Sequence, residues 1–215
     1  ETLQRFRLAA RGHGKAQPPD SERARVERYF DPLPFWYEGV ASDAPAADTD
    51  GAGNYPLSAI TQRPMFMYHS WGSQNAWLRQ IAARNFLYLH PQTASRYGVH
   101  DEDWIWIASP LGRIRVQAKL HAATAPGTVW TWNAIGKHKG AWKLSGNAPE
   151  SREGFLLNHL ISELLPAADH AHRYANADPV TGQAAWFDLR VRIETDAEPR
   201  VPGHRIEPIA RDAVR

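Results

Sequence analysis

Period-two patterning of the side chains marks three segments, Trp104–Ile107, Arg113–Ala118 and Leu189–Ile193, and predicts strands there. Between the first two, Ser109-Pro110-Leu111-Gly112 carries Pro early and Gly at its end, which predicts a hairpin. Tyr55–Thr61 and Thr128–Asn133 read as further short strands. Helical signals are fewer. Ser73 is placed to cap a short helix running through Asn75 to Ile81, and His90-Pro91 starts another, with Gly98 past its end. Phe155–Leu165 predicts a third helix whose stripe Leu157, Leu160, Ile161 and Leu164 faces a core until Pro166 stops it. Several strands with two or three short helices predict a mainly β fold, a closed or nearly closed barrel with peripheral helices.

Outside this body the pattern weakens. Residues 1–54 are rich in Pro, Gly, Ala and Asp and predict an extended arm or linker from a preceding domain, with an aromatic island at Tyr29, Phe30, Phe35, Trp36 and Tyr37 docked on a neighbour. Residues 55–195 form the body, and residues 196–215 a polar C-terminal tail on the surface.

Composition narrows the function classes. The 215 residues are 43% hydrophobic and 22% charged, ordinary for a globular domain, and the net charge is only +2. No polybasic run or acidic tail is present, so neither nucleic acid nor direct membrane contact is indicated. Cysteine is absent, which excludes disulfides, thiolate metal sites, cysteine nucleophiles and iron–sulfur ligation by this segment. The opening ETLQRFRLAARG has neither Met nor a signal-like apolar segment and reads as the middle of a longer protein.

The richest chemistry lies in YPLSAITQRPMFMYHSWGSQN, Tyr55 to Asn75. Thr61, Arg63, His69, Ser70, Ser73, Gln74 and Asn75 are interleaved there with Met65, Phe66, Met67, Tyr68 and Trp71. Donors among flat apolar surfaces suit a large phosphate-bearing heterocycle. Arg63 offers a planar fork to phosphate or a ring carbonyl, and Thr61 and Ser70 offer short hydroxyls. GHGKAQPP and GSQNAW lack the spacing of a Walker or Rossmann glycine loop, so phosphates would be held by side chains and strand-end amides.

This run resembles the entry to the C-terminal cofactor-binding domain of molybdopterin oxidoreductases, the dimethyl sulfoxide reductase superfamily, where T-x-R and H-S elements end a barrel strand. LHPQTASRYGVHDEDWIWIASPLGRIRVQAKL follows where that family has N-P-x-x-A-x-x-x-G-I-x-D-G-D-x-V and an S-x-x-G-x-I hairpin. Here His90 replaces Asn, and Glu102 stands where the family has Gly in a tight turn. Ala125-Pro126-Gly127-Thr128-Val129, Asn158 and Asp178–Gln183 match later family elements, in order. The resemblance implies a double-psi β-barrel. It also carries cofactor contact onto Thr61, Arg63, His69, Ser70, Asn75, Asn158 and Gln183, with no metal ligand and no catalytic residue in this segment.

A finer resemblance, in RPMFMYHSWGSQNAWLRQI, TVWTWNAIGKHKGAW, GFLLNHLISELLP and NADPVTGQAAWFDLRVRI, is to the catalytic subunit of membrane-attached sulfite dehydrogenases. Phenylacetyl-CoA:acceptor oxidoreductases and polysulfide or thiosulfate reductases are the neighbouring alternatives. It implies molybdenum bis(molybdopterin guanine dinucleotide) and a 4Fe-4S cluster in the upstream part of the subunit. The expected partners are the remainder of the catalytic subunit, together with an iron–sulfur electron-transfer subunit plus a membrane anchor subunit. The location implied is the cytoplasmic face of the membrane, or the periplasm if the upstream part carries a twin-Arg signal. Sulfite oxidation to sulfate is the activity implied.

A different class remains open on the residues alone: a Trp-rich barrel binding carbohydrate or another small ligand, which would expose Trp104 and Trp106 on a concave face. His170-x-His172 lacks a spaced third ligand and reads as solvent-exposed, and Asp101, Glu102 and Asp103 read as turn residues before a strand.

Overall fold

The computed structural model describes residues 1–33, 38–39, 55–68, 72, 75–82, 84–109, 111–133, 135, 154–161, 173–174, 180–181, 183 and 189–208. In chain order the elements are α1 (Thr2–Ala10), α2 (Asp20–Tyr29), β1 (Glu38–Gly39), β2 (Leu57–Gln62), α3 (Ala76–Ile81), β3 (Leu87–Leu89) and α4 (Pro91–Arg96). They continue with β4 (Trp104–Ser109), β5 (Gly112–Leu120), β6 (Thr128–Trp132), a 3-10 turn (Leu157–Leu160), β7 (Arg173–Tyr174), β8 (Arg190–Thr195) and β9 (Arg205–Pro208). Contacts divide the chain into two units, residues 1–40 with 162–185, and residues 41–161 with 186–215.

The first unit corrects the expectation of an extended arm. Two helices occupy it, because Pro19 enters α2 with Asp20 and Glu22 in the first turn, where acidic groups complement the helix dipole. The Pro- and Gly-rich stretch is their connection, with Gly12 and Gly14 at positive φ. Phe6 meets Phe30 edge to face at 5.7 Å, and Ala10 and Val26 are buried. Arg7 pairs with Asp31, and Arg23 donates to the Ala10 carbonyl at 2.7 Å. Of the predicted aromatic island, Phe35, Trp36 and Tyr37 lie outside the described residues.

The second unit is a barrel. Its strand order β3-β6-β2-β8-β4-β5 closes on itself because β3 pairs with both β6 and β5. Neighbouring pairs are parallel at β2–β6 and β3–β5 and antiparallel elsewhere around the ring. The mainly β class, with peripheral helices, is as the sequence predicts. Leu57, Ala59, Leu87, Leu89, Ile105, Ile107, Ile114, Val116, Val129, Val191 and Ile193 fill the interior. Fully burying one such aliphatic side chain stabilises the fold by about 1.5–3 kcal/mol.

The predicted hairpin is present, with Ser109 paired to Gly112 and Trp104 to Gln117. Helix α4 starts as expected: the His90 ring accepts from the Gln92 amide at 3.0 Å, Pro91 is the first helical residue, and Gly98 turns out at φ +65°. The tight turn before Asp103 survives the replacement of Gly. Glu102 itself adopts φ +65°, its amide donating to Ala118 at 3.0 Å and its carbonyl accepting from Gln117 at 3.1 Å.

Two expectations are corrected here. The predicted helix at Phe155–Leu165 is, among the described residues, a single 3-10 turn: Leu156 and Ile161 are extended on either side. Burial of Leu157 and Leu160, three residues apart, needs only that one turn. Asn75, not Ser73, caps α3, its side-chain oxygen accepting from the Trp77 amide at 2.9 Å. Residues 196–208 run over the barrel surface: the Trp104 amide donates to the Pro199 carbonyl at 2.7 Å, and β9 pairs antiparallel with β5.

Candidate functional site

Strand β2 delivers the two best-placed residues. Its inward positions run Leu57, Ala59 and Thr61, and Thr61 stands in register with Thr131 of β6. One residue beyond the strand, exposed Arg63 holds its guanidinium 5.8 Å from the centroid of the Tyr68 ring, a cation–π arrangement. The two parallel strands leave the barrel together: the Asn133 amide donates to the Gln62 carbonyl at 2.8 Å, so Arg63 and Asn133 exit side by side.

Asn85 organises this end. It is 1% exposed, and its Nδ2 donates to the Trp132 carbonyl at 2.8 Å and to the Phe155 carbonyl at 3.4 Å. Its Oδ1 accepts from the Phe86 and Trp132 amides at 3.1 and 3.3 Å. A buried carboxamide with both ends occupied thus ties the start of β3, the end of β6 and the approach to the 3-10 turn. That turn presents exposed Asn158 between buried Leu157 and Leu160.

Among the residues predicted as contacts, Thr61 and Arg63 therefore share one barrel end, and Asn158 follows three residues after Phe155, whose carbonyl is tied to that end through Asn85. Asn75 follows closely: the Met67 amide donates to Pro64, Gly72 packs against Met67, and the Asn75 amide donates to Gly72. Its side-chain oxygen is engaged by the α3 cap, leaving its NH2 for a ligand. Gln183 is exposed, its amide donating to Thr181 Oγ1 at 3.3 Å, and it belongs to the helical unit. His69 and Ser70 lie outside the described residues, as does the His170-x-His172 pair.

Three further polar residues at this end, Asn85, Thr131 and Asn133, carry no signal in the sequence pattern. Thr131 Oγ1 and Asn133 Oδ1 are buried without a hydrogen-bond partner among the described residues. Such an orphaned group costs about 1–3 kcal/mol, so two at one strand end are a sign of an unfilled role. Arg63 contributes donors, and the threonines and asparagines both donors and acceptors. This mixed set, beside the flat Tyr68 ring, fits a phosphate-bearing heterocycle.

Elsewhere the barrel offers less. A concavity of about 300 Å³ is lined by Tyr55, Arg113, Arg192, Glu194 and Glu207 among others. Its cations are already matched: Arg113 pairs with Glu194 at 2.8 Å and Glu207 at 2.7 Å, and Arg192 pairs with Glu194 at 2.7 Å. Burial alone would raise the Glu194 carboxyl, yet Arg113 and Arg192 hold it below the usual carboxylate range. Among the described residues no group of His, Asp or Glu is arranged to hold a metal ion.

Trp104, Trp106 and Trp130 do not form a ligand face. Trp104 is 2% and Trp106 7% exposed, and the Arg115 and Arg113 guanidinium groups lie 5.1 and 4.4 Å from their ring centroids. Trp130 is buried and stacked on Tyr88 at 4.0 Å. The carbohydrate-binding alternative required exposed Trp104 and Trp106 and is overturned.

Comparison with known proteins agrees with this chemistry. The chain is 55% identical over 214 residues to a sulfite dehydrogenase subunit of Allochromatium vinosum, covering 98% of this chain and 22% of that protein. It is 29% identical over 178 residues to a tetrathionate reductase subunit of Salmonella typhimurium, covering 77% of this chain and 17% of that one. The chain thus spans only a small part of the length of either relative. Among solved structures, acetylene hydratase from Pelobacter acetylenicus superposes over 77% of this chain and 22% of its own, with a TM-score of 0.49 and 22% identity. Residues 57–172, just over half of the chain, match the molydopterin dinucleotide binding domain. The chain belongs to the molydopterin dinucleotide binding domain family.

Proposed function

We propose that this domain holds the molybdenum bis(molybdopterin guanine dinucleotide) cofactor in the catalytic subunit of an enzyme that oxidises sulfite to sulfate. The observation that carries the substrate is the 55% identity, over nearly the whole chain, to a protein named as a sulfite dehydrogenase subunit. The identity to the tetrathionate reductase subunit is 29% over a shorter span, which favours sulfite over tetrathionate.

When bound, the molybdenum centre supplies the two-electron redox chemistry. This chain's residues bind and orient. Arg63 gives charge-assisted donors to a phosphate or ring carbonyl, Thr61 a hydroxyl at the barrel mouth, and Asn75 and Asn158 amide groups; the family resemblance alone adds His69, Ser70 and Gln183. With no cysteine in the segment, a 4Fe-4S cluster would take its ligands from the upstream part of the subunit.

The partners in this reading are that upstream part, together with an iron–sulfur electron-transfer subunit plus a membrane anchor subunit. The assembly would sit at the cytoplasmic face of the membrane or, with a twin-Arg signal, in the periplasm. The relative's designation as a subunit supports an assembly. Met65, Tyr68, Trp77 and Ile81, exposed large apolar side chains around Arg63 and α3, support packing against the rest of the catalytic subunit.

The experiment is an assay of the complete purified enzyme for sulfite-dependent reduction of an artificial electron acceptor, with tetrathionate reduction measured in parallel. Sulfite oxidation at a rate well above tetrathionate turnover is expected. Tetrathionate turnover without sulfite oxidation would replace the substrate.

A further inference from the structure

We propose that Asn133 is a contact residue for the heterocyclic end of the cofactor, reading the N–H edge of its guanine or pterin ring beside Arg63. The inference rests on the cofactor reading above and goes beyond it in assigning a residue that no spacing or motif singles out.

Position comes first. Asn133 leaves β6 next to Arg63, its backbone fixed by the 2.8 Å hydrogen bond to the Gln62 carbonyl. The side chain is half-buried, and its carboxamide oxygen has no partner among the described residues. Thr131, two residues earlier on the same inward face, has an orphaned hydroxyl as well. Asn85 grips the residue between them, accepting from the Trp132 amide and donating to the Trp132 carbonyl. The strand end is thereby held rigid while the polar groups on either side of Trp132 stay unmatched.

Chemistry then separates the roles. A phosphate offers only acceptors, which suit the all-donor Arg63 and cannot satisfy an unpaired carbonyl oxygen. A hydrogen-bond donor is required, and in a pterin–guanine dinucleotide the ribose hydroxyls and the ring amide and amino groups carry them; a ring edge, with donor and acceptor side by side, matches both ends of a carboxamide. Arg63 and Asn133 therefore divide the ligand between them, the cation taking acceptor groups and the carboxamide taking the donor edge.

The test uses the complete catalytic subunit carrying Asn133→Leu or Asn133→Asp. Guanine nucleotide released by acid hydrolysis and molybdenum are measured per polypeptide, together with the thermal midpoint of the cofactor-free protein. Asn133→Leu is expected to lower cofactor content at least fivefold with no fall in the cofactor-free midpoint. Asn133→Asp keeps an acceptor and is expected to retain at least half of the wild-type content. Wild-type content in the Leu variant, or a loss shared by both variants, overturns the assignment. A wild-type enzyme without any guanine nucleotide overturns the cofactor reading itself, and this inference with it.

Discussion

Arg115 Nε donates to Asp196 Oδ2 at 2.7 Å, and both side chains are almost wholly buried, at 2% and 9% exposure. The same guanidinium donates to the carbonyls of Glu198, Val201 and Gly203 at 2.7–2.8 Å and faces the Trp104 ring. One residue of β5 thus fastens the chain that follows β8 across the outside of the barrel, which explains why Trp104 is covered and why β9 can pair with β5.

Arg115→Ala is expected to destabilise the protein by about 3–5 kcal/mol, because it leaves the Asp196 charge buried and several carbonyls without donors. Arg115→Lys should recover only part, since an ammonium cannot span the fork. Chemical denaturation, with hydrogen exchange followed at residues 196–208, checks both.

Acid should loosen the same strap. Burial alone would raise the Asp196 carboxyl, but the Arg115 hydrogen bond, the Glu198 amide and the Arg115 charge hold it below its ordinary value. A carboxyl depressed in the folded state contributes stability that is complete above the unfolded pKa and lost as pH falls through the folded one. Hydrogen exchange at residues 196–208 is expected to be flat from pH 7 to about pH 4, once corrected for intrinsic rates, and to accelerate below about pH 4. Asp196→Asn should remove that acid dependence.

Glu102→Gly is expected to stabilise the protein by about 0.5–1 kcal/mol, because Glu102 sits at φ +65°, where a side chain is unfavourable and glycine is not. The exposed contact of Glu102 with Lys119 at 3.3 Å offsets little of that gain. A thermal shift on the single variant measures it.

Asn85→Leu, close in size but without polar atoms, should cost roughly 2–4 kcal/mol by stripping partners from buried backbone groups at Trp132 and Phe155. The change should also free the strand end, seen as faster hydrogen exchange at the amides of Trp132 and Asn133. Unchanged exchange there would mean that Asn85 does not organise the site.

Strands β4, β5 and β8 were legible because period-two runs such as Arg113–Ala118 leave one face for the core, and the Ser109–Gly112 turn fixes the register of one pair; β3, which closes the barrel, and β9 are too short to show a period, and the remaining pairings were not legible. Helix α4 was legible from its Pro91 start and Gly98 end. Helices α1 and α2 were not, since their short apolar sets, Phe6 and Ala10 against Val26 and Phe30, acquire meaning only when packed together. The spacing of Leu157 and Leu160 reads equally as a long helix or one 3-10 turn. In the site, Thr61 and Arg63 announced themselves by clustering, whereas Asn85, Thr131 and Asn133 are isolated polar residues at strand ends. Only tertiary pairing reveals that two of them hold unmatched buried atoms.

Met65 is 98% and Trp77 78% exposed. If this face packs on the remainder of the catalytic subunit, oxidative footprinting should modify both side chains readily in this chain alone and at least several-fold more slowly in the complete subunit. Equal modification would remove the docking face.

The most direct test of cofactor binding at this barrel end is the cofactor content of the complete catalytic subunit carrying Arg63→Ala. Loss of a charge-assisted contact should cost roughly 1.5–3 kcal/mol of cofactor binding, about a tenfold to a hundredfold weakening. The stability of the cofactor-free barrel should stay within about 0.5 kcal/mol, because Arg63 is exposed and its guanidinium lies over the exposed Tyr68 ring. Molybdenum and guanine nucleotide per polypeptide are expected to fall well below wild type with unchanged cofactor-free melting. Wild-type levels of both in the Arg63→Ala enzyme would contradict a cofactor held here.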